Sequence, residues 1–226
     1  MADVDIHIDP ICPYCWATAK WLFQVQKLKG LDVGWRFISL RFINEERGYG
    51  PNEDDFKLAH RQGTRLLRVL AATREAHGND TVGALYQTMG NIVWESEPPE
   101  GTDRSAIRRV HGEGFDIPAL LTAAGLDPSV AAAADDERYD TLIKNETARA
   151  RERAGHDVGT PVMVFNPPDG PGFFGPVISE NFSDADAITL YDSVKALAVI
   201  PGFSELKRSI RRTPDVRFLA NIRAND

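Results

Sequence analysis

The chain carries two cysteines, and both lie in one tetrapeptide, Cys12-Pro13-Tyr14-Cys15. Two thiols at this spacing can bond to each other, but the bond encloses too little chain to staple a 226-residue fold. Such a pair suits exchange chemistry. One thiolate attacks an electrophilic sulfur, and the second thiol resolves the mixed disulfide that forms. Structural zinc is the rival use of paired cysteines, and it needs about four ligands. The histidines are His7, His60, His77, His111 and His156, with no pair at ligand spacing and no second cysteine pair, so no metal is expected. In a cytosolic setting structural disulfides are rare, and a close pair there reads as redox-active.

The surrounding sequence predicts strand, motif, helix. Val4-Asp5-Ile6-His7-Ile8 alternates apolar and polar residues, and Asp9-Pro10 stops the strand. Pro13 suits the first helical position, because its missing N–H has no partner there. The run from Tyr14 to Leu28 places Ala19, Leu22, Phe23 and Gln26 on one face, and Gly30 is the expected C-cap. Leu31 to Leu40, with Val33, Trp35, Phe37 and Ile38, reads as a second strand. This arrangement puts Cys12 at a helix N-terminus, where unpaired N–H groups and the macrodipole favour negative charge. Its thiol pKa is therefore expected below the free value of about 8.5. Cys15, one turn further in, is expected to be buried and protonated. Asp9 is an acidic neighbour that either raises the Cys12 pKa or caps the strand end, and capping is the expected role.

Composition bounds the rest. The chain has 26 basic and 33 acidic residues, a net charge of −7, and 42% hydrophobic residues. The acidic balance argues against a general nucleic-acid binder and against a polybasic membrane anchor. No apolar run is long enough to span a membrane. No basic leader with an apolar run follows Met1, so the expected location is the cytoplasm. Helical patterns cover Asp54 to His77, Val82 to Trp94, Ala106 to Gly112, Pro118 to Gly125 and the start at Pro128. A further helix runs from about Glu137 to Ala154. Strand signals return at Val158 to Phe165 and at Gly172 to Val177, followed by a helix over Ser183 to Ala198 and a tail.

The order β-α-β, helical block, α-β-β-α resembles a thioredoxin fold with an all-helical insertion, and the chain resembles the DsbA-like thiol oxidoreductases. Two motifs carry this: the Cys12-Pro13-Tyr14-Cys15 tetrapeptide, and Gly159-Thr160-Pro161, which matches the family's cis-proline loop. A closer resemblance is to the cytosolic actinobacterial mycothiol-dependent nitroreductase type. It rests on Asp9 to Trp16, Ser39-Leu40, Ile43-Asn44-Glu45, Ala76-His77-Gly78, Leu85-Tyr86, Met89-Gly90-Asn91, Val158 to Pro161, Phe174 to Val177 and Glu205 to Arg208. Tyr14 stands where that type carries Trp, which also makes the tetrapeptide look like the glutaredoxin one.

The resemblance implies an α/β fold with residues 1–44 and 141–226 in the thioredoxin domain and 45–140 as the insertion. It implies Cys12 as nucleophile, Cys15 as resolving thiol and a cis Pro161 that holds its loop and blocks metal capture. Pro13, Tyr14, Trp16, Asn44 and Thr160 would bind substrate, with Asn44 facing the cleft from the end of the second strand and the Thr160 backbone pairing with a bound thiol or peptide. No bound cofactor is expected. A low-molecular-weight thiol such as mycothiol would be co-substrate, and a disulfide, a nitro-aromatic or another electrophile the partner. Alternatives are a kappa-type glutathione transferase or isomerase activity, and a non-enzymatic redox-sensing or chaperone-like protein. Blander readings attach to side features. Trp16 serves a core role as readily as a site wall, and Trp21, Trp35 and Trp94 are expected in the core. His77 is a helix cap and His7 structural. Arg149, Arg151 and Arg153 form a solvated helix end or, less simply, a lure for an anionic thiol, and Arg208, Arg211 and Arg212 read the same way.

Overall fold

The computed structural model describes residues 1–51, 53–101 and 103–226. Four strands make the sheet: β1 (Val4–Ile8), β2 (Val33–Phe37), β3 (Val162–Phe165) and β4 (Gly172–Phe174), in the order β2-β1-β3-β4. β1 runs parallel to β2 and antiparallel to β3, with Ile8 opposite Phe37 and Val4 opposite Phe165. β3 pairs antiparallel with β4. The β1–α1–β2 unit is parallel, and α1 (Pro13–Lys29) is its crossover. Cys12 caps the start of α1, and Gly30 closes its end at φ +67°, a left-handed conformation that glycine adopts without penalty.

The alternating pattern of β1 implies one wet face, but the structure buries every one of its residues. Asp5 and His7 lie under α7 (Asp140–Ala154), while α1 and α8 (Asp184–Ala198) pack together on the other side. The polar face is therefore an enclosed charge layer. Asp5 binds Arg36 at 2.9 Å, and Glu146 of α7 accepts from Phe37 N at 2.7 Å and from Arg74 at 2.7 Å.

β2 ends at Phe37, shorter than its apolar run. Ser39 then caps a helix, α2 (Leu40–Arg47), by accepting from Phe42 N at 3.4 Å. The sequence reading extended the strand through this cap, and the 44–45 boundary falls inside α2. Four helices follow: α3 (Glu53–His77), α4 (Asn79–Trp94), α5 (Arg104–Glu113) and α6 (Ile117–Ala123). The expected helix at Pro128 is a 3₁₀ segment, Pro128–Asp135, and a second 3₁₀ turn, Glu137–Tyr139, precedes α7. After α8 the chain continues to a 3₁₀ turn, Arg217–Leu219, and α9 (Ala220–Arg223).

The helical block is sewn to the thioredoxin layers through aromatic residues. Trp16 of α1 meets Tyr86 of α4 edge-on at 6.0 Å, and Tyr86 packs on Trp35 of β2 at 5.8 Å. Close approach depends on two glycines of α4. A Cβ on Gly90 would sit 2.1 Å from the Trp16 ring, and one on Gly83 would sit 2.4 Å from Nε1 of Trp35. Trp94 donates its indole N–H to the Pro10 carbonyl at 2.9 Å, so the end of α4 reaches the turn before Cys12.

Gly90→Ala forces Trp16 out of its position, and such overpacking costs about 1–3 kcal/mol. Urea unfolding should show that loss as a lower midpoint, and an unchanged midpoint would refute this account of the α1–α4 contact.

Candidate active site

The turn Asp9-Pro10-Ile11 joins β1 to α1. Asp9 is fully buried and does the capping expected of it: Oδ1 accepts from Ile11 N at 3.0 Å and Oδ2 from Leu40 N at 2.8 Å. One carboxyl therefore holds both the loop leading to Cys12 and the start of α2. Burial pushes its pKa up to about 6, against the pull of its two N–H partners. Its charge also works to raise the Cys12 pKa, so both expected readings of Asp9 hold, with capping the one seen in the contacts.

Cys12 is 5% exposed and Cys15 is fully buried. Both are free thiols. Cys12 Sγ accepts from Cys15 N–H at 3.4 Å and from the Thr160 hydroxyl at 3.0 Å. The Cys15 thiol is the strongest influence holding Cys12 below the usual cysteine range, and the Thr160 hydroxyl and Cys15 N–H add to it against the cost of burial. Cys15 goes the other way. Burial pushes its pKa well up, and donating its proton to Cys12 pushes further. The two thiols thus differ in the direction the helix position predicts.

Thr160 is held beside Cys12 by the loop before β3. The Thr160–Pro161 peptide is cis, as the resemblance implied, and so are Pro167–Pro168 and Gly175–Pro176, which the sequence reading did not single out. Gly175 N donates to the Pro161 carbonyl at 2.9 Å, and Thr18 of α1 donates to the Pro176 carbonyl at 2.8 Å. The helix that carries Cys12 and the loop that faces it are therefore tied together.

The remaining expected site residues divide. Pro13 and Tyr14 are partly exposed beside Cys12. Tyr14 donates its hydroxyl to the Arg212 carbonyl at 3.3 Å. Trp16 is 1% exposed and donates to Glu95 at 2.8 Å, so it supports α1 from the core and does not wall the cleft. Asn44 does not stand at a strand end. It lies in α2 and turns its amide back to the Leu40 carbonyl at 2.7 Å, because Ser39 has already started a helix there. Arg151 is not solvated either. It is buried and pairs with Glu46 at 2.6 Å.

The sequence reading gave the tail no place in the fold. Residues 199–216 cross the fold and return to the site: Phe203 stacks on Phe173 at 5.8 Å, Lys20 donates to the Asp215 carbonyl at 2.9 Å, and Arg212 meets Tyr14. With β4 and α8 this strap forms a groove of about 2220 Å³ that includes Gly159 and Thr160. The segment has no helical or strand period, so its place depends on contacts far along the chain. Among the described residues no group of three His, Cys, Asp or Glu side chains is placed to hold a metal, and no helix is long and apolar enough to cross a membrane.

Two measurements follow from the electrostatics. Thr160→Val removes a donor to the Cys12 thiolate, so thiolate absorbance should titrate at higher pH, and alkylation below neutral pH should slow about ten-fold. An unmoved titration would show that the hydroxyl does not hold the charge. For Asp9, the folded protein keeps the proton between about pH 4 and about pH 6 while the unfolded chain has released it. Its contribution to stability, about 3 kcal/mol at most, is therefore lost as pH rises through that window. Burial lowers His7 to about 3 and His60 and His111 to about 4, so these groups destabilise the fold as pH falls over an overlapping range. The difference between wild-type and Asp9→Asn unfolding profiles isolates Asp9, and a pH-independent difference would contradict its raised pKa.

The geometry joins a set of known proteins. A solved 2-hydroxychromene-2-carboxylate isomerase superposes with a TM-score of 0.51 at 17% identity, covering 86% of this chain and 95% of that one. The cytosolic disulfide reductase DsbM from Pseudomonas aeruginosa gives 0.47 at 18% identity, over 86% of this chain and 99% of the other. The fold is the DsbA-like thioredoxin fold with its helical insertion. An uncharacterized Mycobacterium tuberculosis protein, Rv2286c, is 29% identical over 221 residues, 97% of this chain and 87% of that protein. The model of a family described as Rv2466c-like, mycothiol-dependent nitroreductase Rv2466c, matches residues 11–208, which include both the cysteine pair and the Thr160–Pro161 loop. The chain belongs to this Rv2466c-like family, and it is an oxidoreductase of thiol-dependent redox chemistry.

Proposed function

We propose that this enzyme cycles Cys12 and Cys15 between dithiol and disulfide, takes its electrons from a low-molecular-weight thiol of the mycothiol kind, and passes them to disulfides or to nitro-aromatic and related electrophiles. One observation carries the reading: Cys12 Sγ accepts from both Cys15 N–H and the Thr160 hydroxyl, so the donors favour the thiolate of the outer sulfur while burial favours the thiol of its partner. The family match supports the thiol as reductant. Such a thiol pool is a feature of the cytoplasm, where this reading places the protein.

The steps balance within the pair. Cys12 thiolate attacks a substrate sulfur, the substrate S–S bond breaks, and one thiolate leaves. Cys15 then loses its proton and attacks Cys12 Sγ, which releases the second thiolate and leaves the Cys12–Cys15 disulfide. Two molecules of the small thiol reverse this by the same exchange and leave as their disulfide. With a nitro compound, the dithiol supplies two electrons, two protons are taken up, and the products are the nitroso compound and water. Pro13, Tyr14 and the Thr160 backbone border the sulfur that reacts and are placed here as substrate contacts. Pro161 holds the Thr160 loop, which closes over the Cys12 side of the thioredoxin domain, 1–44 and 141–226, while 45–140 is the insertion.

Cys15→Ala leaves a mixed disulfide on Cys12 that no thiol of the protein resolves. Incubated with the disulfide of a small thiol such as mycothiol, from which one thiolate leaves as Cys12 bonds the other half, then freed of small thiols and weighed intact, this variant should carry one small-thiol adduct, and Cys12→Ser should carry none. Steady turnover by Cys15→Ala would instead favour a transferase or isomerase that uses one cysteine, and full activity of Cys12→Ser would refute the cycle.

A further inference from the structure

The groove beside the cysteine pair has a polarity unlike the chain as a whole. Its inner end is Gly159 and Thr160, next to Cys12. There the ring of Phe174 lies 3.7 Å from where a side chain on Gly159 would begin. The guanidinium of Arg211 sits over that ring, 5.6 Å from its centroid. Phe173 and Phe203, stacked at 5.8 Å, extend the aromatic floor.

The strap supplies four cations to this lining: Lys207, Arg208, Arg211 and Arg212. Lys207 pairs with Glu205 at 3.6 Å, and Arg212 with Glu180 at 3.4 Å. Arg223 also binds Glu180, at 2.6 Å. Among the described residues Arg208 and Arg211 have no carboxylate within ion-pair distance. Asp157 and Asp169 complete the acidic lining. With Arg153 the lining holds five cations against Asp157, Asp169, Glu180 and Glu205, and in a chain of net charge −7 the strap's two unmatched guanidiniums make a positive rim along an aromatic floor that reaches Thr160. A ring with an attached anion matches both parts at once: stacking on Phe174 and charge on Arg211.

We propose that the groove receives an aromatic substrate bearing a carboxylate or similar anion, its ring on Phe174 and its charge on Arg211, with the reducible bond delivered to Cys12. This rests on the reading of Cys12 as nucleophile. The groove then selects the electron acceptor by charge and ring. For an aromatic disulfide, Cys12 thiolate displaces one aryl thiolate, and Cys15, after losing its proton, displaces the second. The dithiol is oxidised by two electrons, and the disulfide becomes two aryl thiolates.

Two probes separate the claims: dithiobis(nitrobenzoate), a dianionic aromatic disulfide, and dithiodipyridine, a neutral one. The reduced, full-length protein is mixed with each, and the release of aryl thiol gives a second-order rate. Arg211→Gln should lower the anionic-to-neutral rate ratio about five-fold, as loss of one exposed charge bordering the groove implies. Arg211→Lys should keep most of the ratio, and high salt should lower the wild-type ratio toward that of Arg211→Gln. Arg149→Gln, which removes an exposed cation of α7, should leave the ratio as in wild type. Equal ratios in wild type and Arg211→Gln would overturn the proposal, as would an equal loss in Arg149→Gln. Reaction of Cys12→Ser with the neutral probe at the wild-type rate would instead refute the nucleophile assignment on which it stands.

Discussion

Cys12 Sγ is buried with hydrogen-bond donors aimed at it, and that arrangement, which favours a negative charge where little water reaches, ties much of the site together. An ion in such a place is tolerated only with donors aimed at it. Here three donors come from two parts of the chain: the N–H and the thiol of Cys15, in the first turn of α1, and the hydroxyl of Thr160. Two of these lie in the tetrapeptide. The third comes from a loop brought in by the antiparallel pairing of β1 with β3. The sheet therefore completes the electrostatics of the pair.

The same region also carries an opposing charge. Asp9 is buried a few residues before Cys12, and its pull on the thiol runs against the donors. Its carboxyl is committed to Ile11 N and Leu40 N, so it is a structural tie between the redox loop and α2. Gly63 of α3 leaves room for this tie, since a Cβ there would sit 2.7 Å from Asp9 Oδ1. Together with the Trp94–Pro10 bond and the Trp16–Gly90 contact, it makes the helical block a load placed directly on the reactive loop. Displacement of α2, α3 or α4 would reach Cys12 through hydrogen bonds and packed rings.

Local chemistry explains which features were legible in the sequence. The range of β1 matched its pattern, α1 began at Pro13 and ended before Gly30 as read, and α8 began after Ser183. In each case the signal is a cap, a proline or a period within a few residues. The errors share an opposite cause. Ser39 sits in an apolar, β-rich context, and its hydroxyl caps α2 only because Thr147 and Asp9 bind the neighbouring backbone from far away. The resemblance placed Asn44 at a strand end facing the cleft, and helix formation turned its amide back on its own backbone; of the two readings of Trp16, packing selected the core.

By itself the sequence determined the place of the cysteine pair at a helix N-terminus, most of the order of strands and helices, and the Thr160–Pro161 loop, because these depend on residue chemistry over short spans. Tertiary structure decided which face of β1 is dry, which arginines are buried, and where the tail lies. Arg151 and Arg211 look alike in sequence, yet one is closed under Glu46 and the other rests open on Phe174. That difference comes from which distant elements pack against each side chain, and no local pattern encodes it.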